Sequence, residues 1–136
     1  MKVQGECHCG QIRYEAVVDP AKVGICHCTD CQQFSGAPYR TGVPTAAADF
    51  LLQGRPTHYI KIAENGARRV QGFCPNCGTA LYAAAADDPQ VYILRIFSIK
   101  QRAELIPSRQ IWRRSALPWA CDLSGIEAFE DQGPRG

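Results

Sequence analysis

The segment Phe73-Cys74-Pro75-Asn76-Cys77-Gly78 decides how this chain is read. Two thiolates on one tetrahedral zinc, each about 2.3 Å from the metal, must lie within about 4 Å of each other. A two-residue spacer in a tight turn achieves this. Pro75 presets φ where the turn begins, and Gly78 accepts the positive φ that sends the chain back. A redox CxxC usually opens a helix in an α/β domain. This one sits between two strand-like stretches, Ala67–Phe73 and Thr79–Ala85, and is read as a metal knuckle.

The rest of the chain extends that reading. Gln11–Val18, Val23–Cys28, Tyr39–Val43, Phe50–Gln53, Thr57–Ala63 and Gln90–Phe97 combine β-branched or aromatic residues with turn signals at their ends. Asn65-Gly66 supplies the positive φ values of a tight hairpin. The run Val91-Tyr92-Ile93-Leu94 has no polar face and predicts a strand buried on both sides. Pro44 is expected to end a strand. Helix is scarce, with one turn expected around Thr29–Phe34 and a weaker case at Ile99–Leu105. The expected fold class is all-β, with short antiparallel strands and little helix.

Composition sets the outer limits. The 136 residues suit one domain, read as residues 1–136 with a core over about 5–129 and a frayed tail over 130–136. Apolar residues make up 46% and charged residues 21%, which argues against wholesale disorder. No stretch is apolar enough for a bilayer-spanning helix or a secretory leader, so a cytoplasmic location and no membrane partner are expected. The formal net charge is only +2, and the basic residues are scattered, so a nucleic-acid partner is not expected.

Eight cysteines are many for a reducing compartment, where such clusters more often mean metal or catalysis than disulfides. Cys7 and Cys9 form CxC, a natural complement to Cys74 and Cys77 in a closed structural zinc site. That would tie the N-terminal strand to a hairpin some 65 residues later. Cys26, Cys28 and Cys31 can then share a second metal, with a fourth position open to water or substrate as in catalytic sites. Cys121 or a histidine could instead fill that position, and ligands could exchange between groups. Alternation along an extended chain points His8 and His27 away from their neighbours' metal. His58 reads as an ordinary strand residue, and Cys121 as a small buried hydrophobe. Loading both sites would take the chain from +2 to −1, because bound thiols are deprotonated.

Three ordered motifs carry a resemblance over about residues 5–129. They are Gly5-Glu6-Cys7-His8-Cys9-Gly10, then Cys26-His27-Cys28-Thr29-Asp30-Cys31 with Ser35-Gly36-Ala37, then Gly72-Phe73-Cys74-Pro75-Asn76-Cys77-Gly78-Thr79-Ala80-Leu81. Together they resemble the glutathione-dependent formaldehyde-activating enzyme (GFA) family, which includes centromere protein V. Ile111-Trp112-Arg113-Arg114-Ser115-Ala116-Leu117-Pro118-Trp119 resembles its C-terminal signature. The resemblance implies a β-tent fold with two zinc ions. It assigns Cys7, Cys9, Cys74 and Cys77 to a structural zinc, and Cys26, Cys28 and Cys31 to a catalytic one. It implies formation of S-hydroxymethylglutathione from glutathione and formaldehyde, a carbon–sulfur lyase in the reverse sense, so the expected partners are a glutathione-like thiol and formaldehyde or another small aldehyde. A glutathione pocket needs cations, and Arg40, Arg68, Arg69, Arg95, Arg113 and Arg114 are available. The alternative is a non-catalytic zinc-stapled binding module or thiol carrier. One departure is visible: Phe97-Ser98-Ile99-Lys100 stands where the family commonly has Gly-Ser/Thr-Leu-Asp, which bears on pocket shape and substrate.

Overall fold

In Arg13–Val17 (β2), burial alternates strictly: Tyr14 and Ala16 turn inward while Arg13, Glu15 and Val17 face solvent. Lys2–Glu6 (β1) repeats the pattern with Val3 inward, and pairs antiparallel with β2 from Lys2 opposite Val17 to Glu6 opposite Arg13. The computed structural model, which describes residues 1–134, builds two sheets on this principle. The smaller is ordered β1-β2-β5, with β5 at Phe50–Gln53. The larger has the order β10-β3-β4-β9-β8-β7-β6. Its strands are Gly24–Cys26 (β3), Arg40–Ala46 (β4), Thr57–Ile62 (β6), Arg68–Phe73 (β7), Ala80–Ala85 (β8), Val91–Arg95 (β9) and Arg109–Ile111 (β10). Only β10 runs parallel to its neighbour, β3.

The chain is mainly β, as its sequence pattern predicts. The core lies between the sheets, where Val3, Ile12, Tyr14 and Ala16 meet Val43, Val70, Tyr82, Ala84 and Leu94. Phe50 sits at the centre of an aromatic cluster, with ring centroids 5.4 Å from Tyr14, 5.6 Å from Tyr82 and 4.8 Å from Tyr92. The registers pair Val43 with Leu94 and Leu94 with Tyr82, so these side chains share the core face. They also pair Cys26 with Arg40, and Gly42 with Arg95. The large sheet therefore turns its apolar face inward and carries Cys26, Arg40 and Arg95 on the other. A Cβ at Gly72 would lie 2.6 Å from the Tyr82 ring, which is why β7 has glycine opposite that tyrosine.

Several local expectations needed correction. β4 runs through Pro44 to Ala46, because β3 pairs with it only as far as Gly42 and leaves a free edge where proline is tolerated. The apolar run at Val91 is not buried on both sides, since Val91 is 46% exposed although β9 lies inside the sheet. The helix at Thr29–Ser35 (α1) is real, whereas Ile99–Leu105 holds only a 3-10 turn at Arg102–Glu104. Within the expected tail, Arg135 and Gly136 lie outside the described residues. Among the described residues no helix is long and apolar enough to cross a membrane.

Tyr14 makes this core sensitive to alkali. Its hydroxyl lies 2.7 Å from Ser98 Oγ, and burial pushes its pKa from about 10 to about 12. The folded state thus holds the phenol proton more tightly than the unfolded chain. The resulting stability, about 3 kcal/mol, is complete below pH 10 and lost as pH rises towards 12. Urea unfolding at pH 8 to 12 should show this decline, and Tyr14→Phe should flatten it. An unchanged slope in Tyr14→Phe would refute the assignment.

Candidate metal centre

The turn between β7 and β8 is held by Cys74 N–H donating to Thr79 O at 3.0 Å and Gly78 N–H donating to Cys74 O at 2.9 Å. Gly78 takes φ +79°, the left-handed value expected of it. The turn between β1 and β2 has the same design, with Gly10 N–H donating to Cys7 O at 3.0 Å and Gly10 at φ +80°. The two turns face each other. Cys7, Cys9, Cys74 and Cys77 bring their Sγ atoms within 4.8 Å of one another. Cys9 Sγ lies 3.5 Å from Cys7 Sγ and 3.7 Å from Cys74 Sγ. A tetrahedron of 2.3 Å zinc–sulfur bonds has edges of about 3.8 Å, so this donor set fits zinc. The cluster joins the small sheet to the large one.

Backbone and hydroxyl donors surround these sulfurs. Ile12 N–H donates to Cys7 Sγ at 3.3 Å, and Cys77 N–H to Cys74 Sγ at 3.5 Å. The Thr79 hydroxyl accepts from His8 N–H at 3.0 Å and lies 3.2 Å from Cys77 Sγ. That hydroxyl, together with neighbouring backbone N–H groups, brings the Cys77 thiol down to about 5. It is therefore ready to bind metal as thiolate. Thr79 was not singled out from sequence; the signal was its place directly after the knuckle glycine.

The second cluster lies on the outer face of the large sheet, where β3 runs into α1. Cys28 caps α1, its Sγ accepting from Cys31 N–H at 3.3 Å, and Gly36 ends the helix at φ +63°. This single turn gathers the Sγ atoms of Cys26, Cys28 and Cys31 within 4.8 Å of one another. Among the described residues no histidine, carboxylate or further cysteine joins them. Burial raises the Cys28 thiol, but the Cys31 N–H, the adjacent thiols and Arg40 outweigh it and leave the net shift downward. Burial pushes the Cys31 thiol up. Lys61 on β6 reaches Asp30 at 2.6 Å and anchors the helix.

The histidines stay out of both clusters. His8 is exposed, and His58 Nε2 lies 2.6 Å from the Tyr82 hydroxyl. His27 is buried, with Nε2 2.8 Å from Gln110 Oε1 on β10. Cys121 is not the buried hydrophobe expected: it is exposed, and Arg113 Nη1 donates to its Sγ at 3.0 Å. It lies in a short 3-10 segment, Pro118–Cys121, outside both sheets, which leaves nothing to cover it.

The six arginines separate by position. Arg68 pairs with Asp87 at 3.4 Å, and Arg113 is engaged with Cys121. Arg69 and Arg114 line a groove of about 620 Å³ together with Cys28, Lys61 and Trp112. Arg114 stacks over the Trp112 ring at 4.6 Å. On the other side of the cluster, Cys26 lines a recess of about 260 Å³ with Arg40, and with Lys22 and Arg109, which sequence reading did not select. No carboxylate lines that second recess.

Comparison with known proteins agrees with this architecture. The chain is 27% identical over 97 residues to an uncharacterised lyase of Schizosaccharomyces pombe, covering 71% of this chain and 68% of the relative. A crystal structure of a Rhodobacter sphaeroides protein superposes with a TM-score of 0.61 at 18% identity, covering 79% of this chain and 98% of that one, which supports the fold. Residues 2–115 match the family described as glutathione-dependent formaldehyde-activating enzyme, and the chain belongs to that family.

Proposed function

We propose that this chain is a zinc-dependent, lyase-type enzyme that joins a glutathione-like thiol to formaldehyde or another small aldehyde, and reverses that reaction. One observation carries the reading: a three-thiol cluster with no fourth protein donor among the described residues adjoins two recesses, one lined by Lys22, Arg40 and Arg109 without a carboxylate, the other by Lys61, Arg69 and Arg114 beside Asp30 and Glu64. Glutathione has its thiol in the middle and a carboxylate towards each end, so cations in both recesses beside the cluster suit it.

Cys26, Cys28 and Cys31 would hold the working zinc, and Cys7, Cys9, Cys74 and Cys77 the structural one. Zinc in the working position lowers the pKa of a bound thiol, so that thiolate is available at neutral pH. Arg69 and Arg114 would receive one carboxylate, and Arg40, Lys22 and Arg109 the other. The reaction forms a carbon–sulfur bond at the aldehyde carbon while the carbonyl oxygen gains a proton, with no net oxidation. Asp30, tied to Lys61, holds the first turn of α1, which carries Cys31 and is capped by Cys28.

The test is calorimetric titration of the two-zinc protein with glutathione, alongside cobalt substitution of the working site. Glutathione should bind and change the cobalt spectrum. Arg69→Ala should raise the KM for glutathione about tenfold with kcat little changed, because it removes a charge-assisted contact made equally before and during reaction. Absence of both binding and spectral change would dismiss the reading.

A further inference from the structure

A third recess lies at the end of the large sheet where β4 begins, β8 begins and β9 ends. It encloses about 230 Å³ and is lined by Tyr39, Arg40, Thr41, Thr79, Arg95 and Phe97 among others, with no aspartate or glutamate. Arg95 is only 6% exposed. Its guanidinium donates to Ile93 O at 3.3 Å and to Gln71 Oε1 at 2.9 Å, both neutral acceptors. Among the described residues neither Arg95 nor Arg40 has a carboxylate partner. A buried charge without a counter-charge is unfavourable, and such groups are normally paired.

The cysteines supply only part of the missing charge. Burial is the chief influence against the Arg95 charge, Arg40 and Arg69 add to it, and the nearby Cys31 and Cys26 offset only part. Arg69 is likewise disfavoured by its burial and by Arg40. Arg69 shares its groove with Asp30 and Glu64, whereas the recess that Arg40 and Arg95 line holds neither aspartate nor glutamate.

We propose that this recess is a binding site for a small organic carboxylate, held by Arg95 and Arg40. The guanidinium fork matches a planar carboxylate. Tyr39, Ala37, Ala80 and Phe97 give the recess apolar walls, which suit an organic body better than inorganic phosphate. Phe97 is 67% exposed and belongs to the Phe97-Ser98-Ile99-Lys100 departure from the family pattern. The departure therefore places Phe97 and Ser98 in the lining of this recess. The site shares Arg40 with the recess proposed for the thiol substrate, but Arg95 and the rest of its lining stand apart from the lyase reading.

The experiment titrates ¹⁵N-labelled, zinc-loaded protein with benzoate, using benzamide as its neutral isostere. Benzoate should shift the amides of Thr41, Thr79 and Phe97, and benzamide should bind about tenfold more weakly or worse. Arg40→Gln should weaken benzoate by a similar factor. Arg95→Lys keeps the charge but loses the fork, and should also weaken it. Phe97→Ala, at an exposed position, should keep the fold and weaken benzoate. Equal binding of benzoate and benzamide, shifts clustered elsewhere, or unchanged affinity in Arg40→Gln would overturn the proposal. Glutathione competition identifies the source. Displacement of benzoate makes the carboxylate the thiol's own, simultaneous binding makes it that of another ligand, and both outcomes support the site. Benzoate binding without glutathione binding supports the site and counts against the lyase reading alone.

Discussion

Cys74→Ser should leave no stably folded protein. Cys74 is fully buried, and its thiol belongs to a four-sulfur group that bridges the turn between β1 and β2 and the turn between β7 and β8. Structural zinc contributes an apparent ~10–16 kcal/mol in small zinc domains at neutral pH. The whole stability of a domain is about 5–15 kcal/mol. Losing one of four thiols also buries a hydroxyl where the proposed metal ligand stands. Circular dichroism should show loss of the cooperative thermal transition, and a strong chelator should do the same to the parent protein. Cys121→Ser is the control, being exposed and outside both clusters, and should be indistinguishable from the parent. A Cys74→Ser protein that melts within a few degrees of the parent would show that the group is not a staple.

Cys28→Ser should have the opposite profile. Its cluster spans six residues, lies away from the inter-sheet core, and links only β3 to α1. None of its cysteines belongs to the inter-sheet core. The variant should fold, melt within a few degrees of the parent, and hold one zinc per chain instead of two. Formation of the thiol–aldehyde adduct, followed by NMR, should fall about 100-fold or more, since losing even an outer contact at a metal site costs 10–100-fold. Retention of both zincs with full activity would remove the cluster from the chemistry. Unfolding would make it a second staple, as in the binding-module alternative.

The two substitutions separate because the clusters have different reach, and that difference was legible in the spacing. Short-range cysteine pairs constrain local geometry almost completely, so CxxC, CxC and CxCxxC could be read as knuckles before any fold was known. The hairpin at Asn65-Gly66 and most strand limits were legible from turn signals, although only Gly66 of that pair takes a positive φ. What stayed hidden depends on partners distant in sequence. β10 has three residues, all exposed, and exists because β3 offers it a parallel edge. Pro44 stays in its strand because of where β3 stops. Cys121 was misplaced because burial of a lone cysteine has no local signature. Choosing among six arginines needed the outer sheet face, which register creates and composition does not.

The reach of the clusters also bears on how the chain is made. Ribosomes add about 5–20 residues each second, and domains begin to organise from the N-terminus. Cys26, Cys28 and Cys31 emerge almost together, so their site can be complete within a second or so. Cys7 and Cys9 must wait for Cys77, some 70 residues further on, for about 4–14 s. During that interval two thiols, one destined for the core, stand without their partners. The later half of the protein therefore decides when the N-terminal pair joins a complete four-thiol group, and a ribosomal pause before Cys74 prolongs that exposure.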